Sequence, residues 1–328
     1  MPEPPPGRTE RAAARQRRRP EARCKTVTKK KDQQGMITAA ERTEAGNFTG
    51  PYKMSEKCFA TFGSFIEKHC GIKMPPVKKT MLEGRLRKRL RLLGMNSYEQ
   101  YADYVFGRDG SGSEMVQMID AVTTNKTDFF REPSHFDYLV GTVLPAFMTR
   151  DRECGRAGLR LWSAGCSTGE EPYTLAMVLS DYAERNPQLS YSILATDLST
   201  RVLAAARDAI YSEDKIYPVP MQMRRKYLMR SRDRASRLVR VVPALRQRIA
   251  FRRLNFMQAD FGIANPMYVI FCRNVVIYFD RRRQERLLNK FCRHLGPGGY
   301  VFMGHSETLS GMDVPLVQVA PTVYKKTE

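Results

Sequence analysis

The chain has no run of 18 or more apolar residues, so no transmembrane helix and no membrane insertion are expected. Arg17, Arg18 and Arg19 have no apolar stretch behind them, which is not the pattern of a secretory signal. Cysteine is sparse: seven in 328 residues, scattered, odd in number and without a CxxC pair. That spacing predicts no disulfide framework and no metal site; it fits reduced thiols in a cytoplasmic protein. Acidic residues are also in deficit, 34 against 55 Lys and Arg, a net charge of +21. Such a surface attracts polyanions or acidic protein patches without saying which.

What is present falls into blocks. Residues 1–50 are rich in Pro, Arg, Lys and Ala without apolar periodicity, and read as a basic, disordered arm. Residues 51–125 predict a helical domain. Ser55 caps a helix carrying Phe59, Phe62, Phe65 and Ile66 and ending at Gly71. A second helix over about 77–93 buries Leu82, Leu86 and Leu90, and others start at Ser97 and Ser113. A linker (126–157) leads to a region, 158–328, where strands alternate with helices: strands at 159–164, 190–197, 249–254, 269–272 and 298–303, then a closing hairpin. This predicts a doubly wound α/β domain with a mostly parallel sheet, whose ligands bind beyond the strand carboxyl ends. Residues 211–248, dense in Arg and Met with one short strand at 238–242, break the rhythm and read as a small inserted subdomain.

Three strand ends carry candidate chemistry. Ser163–Glu171 is a small-residue loop opening a helix, but it is neither GxGxxG nor followed by GK[ST], and Glu170 and Glu171 would repel a pyrophosphate. A cationic ligand such as S-adenosylmethionine suits it better; a plain glycine turn with helix-start acids is the simpler alternative. Asp197 ends the next strand, either holding a ribose diol or capping the following helix. Cys272-Arg273-Asn274 ends a third: Asn274 could meet an adenine edge or a backbone, and Arg273 with Tyr278 could orient an acidic substrate. Cys166 and Cys272 lack a visible base partner, so covalent catalysis is not expected.

Five ordered segments carry a resemblance: Thr123–Glu132, Trp162–Tyr173, Ala195–Leu198, Phe271–Asp280 and Gly304–Glu307. Over about 55–325 the chain resembles the chemotaxis receptor methyltransferases, the CheR family. The resemblance implies a Rossmann-like class I methyltransferase domain behind an all-helical domain, with S-adenosylmethionine as cofactor. It implies that Asn125, Thr127, Arg131, Glu171, Asp197, Asn255, Phe256, Arg273 and Asn274 bind the cofactor, Asp197 at the ribose and Asn255 and Phe256 near the adenine. Arg131 and Tyr278 would face the reacting centre. Arg85, Arg89 and Arg91 would receive the methylated cytoplasmic helix of a chemoreceptor, whose glutamates would become methyl esters.

Two departures bear on this. Some relatives dock a receptor's C-terminal pentapeptide on a glycine-bearing β-subdomain; Arg230–Arg237 here has no glycine, so strand pairing through a tight turn and pentapeptide tethering are not expected. Tyr268 stands where an aspartate is more usual. A nucleic-acid methyltransferase is the rival reading, favoured by charge and by Asn265-Pro266-Met267-Tyr268, but that segment precedes its strand instead of following it. A non-catalytic S-adenosylmethionine sensor is the other rival.

Overall fold

The computed structural model describes residues 53–107, 112–153 and 158–327; the arm expected over 1–50 lies outside them, as do Cys24 and Cys154. The Ser55 hydroxyl accepts from Cys58 N at 3.1 Å and starts α1 (Glu56–Cys70), which stops at Gly71. A 3₁₀ turn (Pro76–Lys78) opens α2 (Lys79–Leu92). Its Leu82, Leu86 and Leu90, one per turn, are fully buried in one cluster with Phe62 and Ile66. Each such side chain contributes roughly 1.5–3 kcal/mol of burial. The cluster is completed by α3 (Tyr98–Phe106), capped by Ser97, and α4 (Gly112–Val122). The segment beyond is more helical than a linker. In it α5 (Ser134–Tyr138) passes through a π-helical turn (Leu139–Val143) into α6 (Leu144–Glu153).

The second half alternates as expected. It runs β1 (Leu159–Ala164), α7 (Glu170–Arg185), β2 (Tyr191–Asp197), α8 (Thr200–Asp208), β3 (Ile210–Ser212), α9 (Met221–Tyr227), β4 (Leu228–Arg230) and β5 (Leu238–Val241). Then follow α10 (Pro243–Arg246), β6 (Ile249–Arg253), β7 (Met267–Cys272), α11 (Arg281–His294), β8 (Leu295–Met303), β9 (Leu316–Ala320) and β10 (Val323–Lys326). Seven strands form one sheet in the order β6-β2-β1-β7-β8-β10-β9, parallel from β6 to β8, with β10 antiparallel to both neighbours. Helices cover both faces, so β1 and β7 are buried almost throughout, which is why they read as continuous apolar runs. Strand order reverses at β1, which opens a crevice at the carboxyl ends of β1 and β7. This is the predicted α/β, Rossmann-like arrangement.

The inserted region corrects an expectation. Residues 211–248 hold more than one strand, because β3, β5 and β4 form a separate antiparallel sheet, and β4 pairs with β5 from Leu228↔Val241 to Arg230↔Val239. Glycine is not required because the connection is not a tight turn. Asp233 caps a 3₁₀ turn (Arg234–Ser236), and Arg237 itself takes the left-handed backbone, φ +47.

The helical domain packs over the crevice through specific contacts. Lys73 N donates to Tyr278 O at 2.9 Å, and Asn255 Nδ2 to His69 O at 2.6 Å. The buried Asp120 carboxylate of α4 accepts from Thr200 N at 2.8 Å and Arg201 N at 3.1 Å, covering two of the unpaired N–H groups that open α8.

Candidate active site

The loop after β1 is shaped for close approach. Gly165 has φ +90, and a Cβ there would stand 2.5 Å from Val275 Cγ2, so glycine is needed for both conformation and space. Ser167 N donates to Asp197 Oδ2 at 2.9 Å, and Ser199 N to Oδ1 at 2.9 Å. The capping alternative for Asp197 does not hold: Ser199 caps α8, its hydroxyl accepting from Val202 N at 3.4 Å. Asp197 is buried, and loss of solvent pushes its pKa up. The carboxylate accepts backbone N–H groups on both oxygens and retains acceptor capacity for a diol.

Arg273 reaches the same cavity from the end of β7. Its guanidinium is buried, and two of its three nitrogens are engaged within the protein. Nε donates to Glu171 Oε2 at 2.7 Å, and Nη1 donates to the Arg131 carbonyl at 2.6 Å. The same cation lies over the Phe136 and Phe271 rings. Through these two nitrogens it clamps Glu171 and the linker together at the cavity wall. Glu171 Oε1 accepts from Ser163 Oγ at 2.7 Å. Nearby, Glu132, His135 and His305 bring ligand atoms within 4.8 Å of one another, but Arg273 Nη1 is 3.6 Å from Glu132 Oε2 and is already the cation there. Burial first, then Arg273, lowers the pKa of His135 to about 4, so it is neutral near pH 7.

The linker reaches the crevice by a strained path. Phe130 and Glu132 take φ +52 and +54, flanking Arg131. Phe130 N donating to Thr174 Oγ1 at 3.1 Å holds the path, together with the Arg273 bond to the Arg131 carbonyl. Asn125 accepts at its carbonyl from Ser167 Oγ at 2.9 Å. After β7, Asn274 also sits at positive φ, +59. One buried carboxylate sets this turn: Glu307 accepts from Asn274 N at 2.9 Å, Val276 N at 3.0 Å and Gly304 N at 2.6 Å. Glu307 closes the Gly304–Glu307 segment, and nothing in that segment alone assigns it a role. Its signal is an acid four residues past a strand end, which marks no periodicity.

The structure brings Asn125, Thr127, Arg131, Glu171, Asp197, Asn255, Phe256, Arg273, Asn274 and Tyr278 to the wall of one cavity of about 410 Å³. Asn255 reaches it with its amide spent on His69 O and Met257 N, and Phe256 belongs to an aromatic cluster with Trp162, Phe261 and Phe291. The basic trio of α2 separates. Arg85 joins the cavity wall, donating to Thr124 Oγ1 at 2.7 Å and to Val122 O. Arg89 is turned inward onto the buried Glu114, at 2.9 Å from Nε and 2.5 Å from Nη2, and Arg91 is exposed away from the cavity. Burial pushes the Cys166 and Cys272 thiols well up, which leaves them poor nucleophiles.

The cavity fits S-adenosylmethionine. Its volume is in the range of small-molecule sites, its β1 loop lacks phosphate-binding features, and two acids, Glu171 and Asp197, line it, which suits a cationic ligand carrying a diol. Residues 125–324 match the family model described as CheR methyltransferase, SAM binding domain, and residues 58–123 match CheR methyltransferase, all-alpha domain. The chain is 38% identical over 262 residues to the chemotaxis protein methyltransferase of Borreliella burgdorferi, covering 80% of this chain and 91% of that protein. It is 35% identical over 272 residues to that of Escherichia coli, covering 83% and 91%. A third, from Klebsiella aerogenes, is 37% identical over 276 residues, covering 84% and 91%. With both family models in sequence order and the cofactor crevice between them, the chain belongs to the CheR family of S-adenosylmethionine-dependent methyltransferases.

Proposed function

We propose that this enzyme forms methyl esters on glutamate side chains of chemoreceptors, serving adaptation in chemotaxis. The observation that carries it is one cavity whose wall carries both the acids Glu171 and Asp197 and the donors Arg85, Arg131 and Tyr278. Cationic and phenolic donors suit an acceptor that is itself an anion. Bound S-adenosylmethionine supplies an electrophilic methyl on a sulfonium. A glutamate carboxylate has a pKa near 4.3 and is ionised at pH 7, so no side chain has to remove a proton. The work left to the chain is orientation. Asp197, Glu171 and the backbone of Asn125–Thr127 hold the cofactor, while Arg131 and Tyr278 hold the carboxylate in line with the methyl. Asn274 and the Asn255–Phe256 pair bound the adenine end. Arg273 acts through Glu171, and Arg85 is the residue of α2 best sited to meet the receptor helix.

Nucleic acid is the weaker reading. Asn265–Tyr268 lies at the amino end of β7, a strand's length from Asn274, so it cannot grip a base at this cavity. The reading puts the enzyme in the cytoplasm; among the described residues no helix is long and apolar enough to cross a membrane. It also keeps the reaction independent of a receptor pentapeptide, now on the glycine-free sequence of 230–237 alone, since the strands do pair. The test is methyl transfer from labelled S-adenosylmethionine to receptor-rich membranes. Alkali-labile label released as methanol is expected; label that is stable to alkali, or that appears on nucleic acid, would overturn the ester reading.

A further inference from the structure

The inserted sheet touches two segments that build the cofactor end of the cavity. The Tyr211 hydroxyl, on β3, donates to the Thr168 carbonyl at 2.8 Å, and its ring stands edge-on to Phe129 at 4.9 Å. It lies so near the loop that a Cβ on Gly169 would be 2.9 Å from that hydroxyl. Four residues on, the Lys215 ammonium donates to the Thr127 carbonyl at 3.2 Å. It is also 3.6 Å from Asp128 Oδ1 and 3.9 Å from Glu170 Oε1. Glu170 is buried at the start of α7, its other oxygen accepting from Thr168 Oγ1 at 2.6 Å. One cation from the insertion thus joins the linker to the β1 loop.

We propose that Lys215 is a positioning residue for the cofactor site, pinning Thr127 and Asp128 against the start of α7. Without it, the Asp128 and Glu170 carboxylates face each other with no cation between them, and their repulsion moves the linker off the loop. Thr127 lines the cavity, and Ser167, next to Thr168, holds both Asp197 and the Asn125 carbonyl, so that displacement reaches the ligand. The insertion, which supplies no residue to the predicted cofactor set, then acts on cofactor affinity. The Lys215 side chain is 48% exposed, so its replacement leaves the core intact and its effect shrinks as salt rises.

The inference rests on the cavity being the S-adenosylmethionine site but needs no methyl acceptor. The probe is S-adenosylhomocysteine, titrated calorimetrically into the full-length protein. Lys215→Met is expected to raise Kd about three- to tenfold, the range of a partly screened, charge-assisted contact. Lys215→Arg, which keeps cation and donor, should stay within about twofold of wild type by the same reckoning. Asp128→Asn should recover part of the lost affinity in the Lys215→Met background, since it removes the repulsion that Lys215 otherwise neutralises. Lys215→Met at wild-type Kd, Lys215→Arg as damaging as Lys215→Met, or no recovery on adding Asp128→Asn would each overturn it. Absence of binding to the wild type would instead sink the reading of the cavity.

Discussion

Arg131→Ala is expected to slow methyl transfer at saturating S-adenosylmethionine by about 100-fold or more, the effect of removing one preorganised donor. The linker spends two positive-φ residues, Phe130 and Glu132, to bring this side chain to the cavity, and the Arg273 bond to its carbonyl fixes its Cα. Among the described residues its guanidinium has only long contacts to protein, Lys126 O at 3.5 Å and Glu132 Oε1 at 4.0 Å, which leaves its donors for the acceptor. A donor used mainly in the transition state lowers kcat more than it weakens cofactor binding. Initial rates beside S-adenosylhomocysteine affinity separate the two. A variant with a wild-type rate would remove Arg131 from the chemistry. Lys in its place should recover only part, because an ammonium does not reproduce a planar fork.

Arg273→Met should destabilise the fold by about 3–5 kcal/mol, the usual consequence of removing one partner of a buried ion pair. The side chains of Arg273 and Glu171 are 2% and 11% exposed, and Arg273 also faces Glu132 at 3.6 Å, so its loss strands two carboxylates out of solvent. Urea denaturation should show the midpoint falling at unchanged slope. Adding Glu171→Gln should return part of the loss, since the double variant no longer buries that charge. A drop below about 1 kcal/mol would mean that the site relaxes and lets water reach Glu171.

The parts of this site legible in the sequence are those written locally. The β1 loop and Asp197 follow strand ends that glycine, small residues and a terminal acid mark out, and the helical domain follows from Leu82, Leu86 and Leu90 at one-turn spacing. Partnerships across the fold were not legible. Arg273 meets Glu171 across 102 residues of sequence, so its name alone could not tell a substrate fork from a structural clamp. Arg89, expected with Arg85 and Arg91 to meet the receptor helix, is instead taken inward by Glu114 of α4. The inserted sheet was missed because its strands are three and four residues long and its connecting turn uses Arg237 where glycine is the usual signal. Glu307 stayed silent because a lone acid shows nothing of the backbone N–H groups that converge on it.

The central claim is that this crevice holds S-adenosylmethionine through Asp197. Calorimetry of S-adenosylhomocysteine on wild type and Asp197→Asn, with melting temperature read in parallel, tests it most directly. The account predicts about 10- to 100-fold weaker binding, the worth of one or two hydrogen bonds to a charged acceptor, in a protein that still melts cooperatively. Wild-type affinity in a folded Asp197→Asn protein would contradict it.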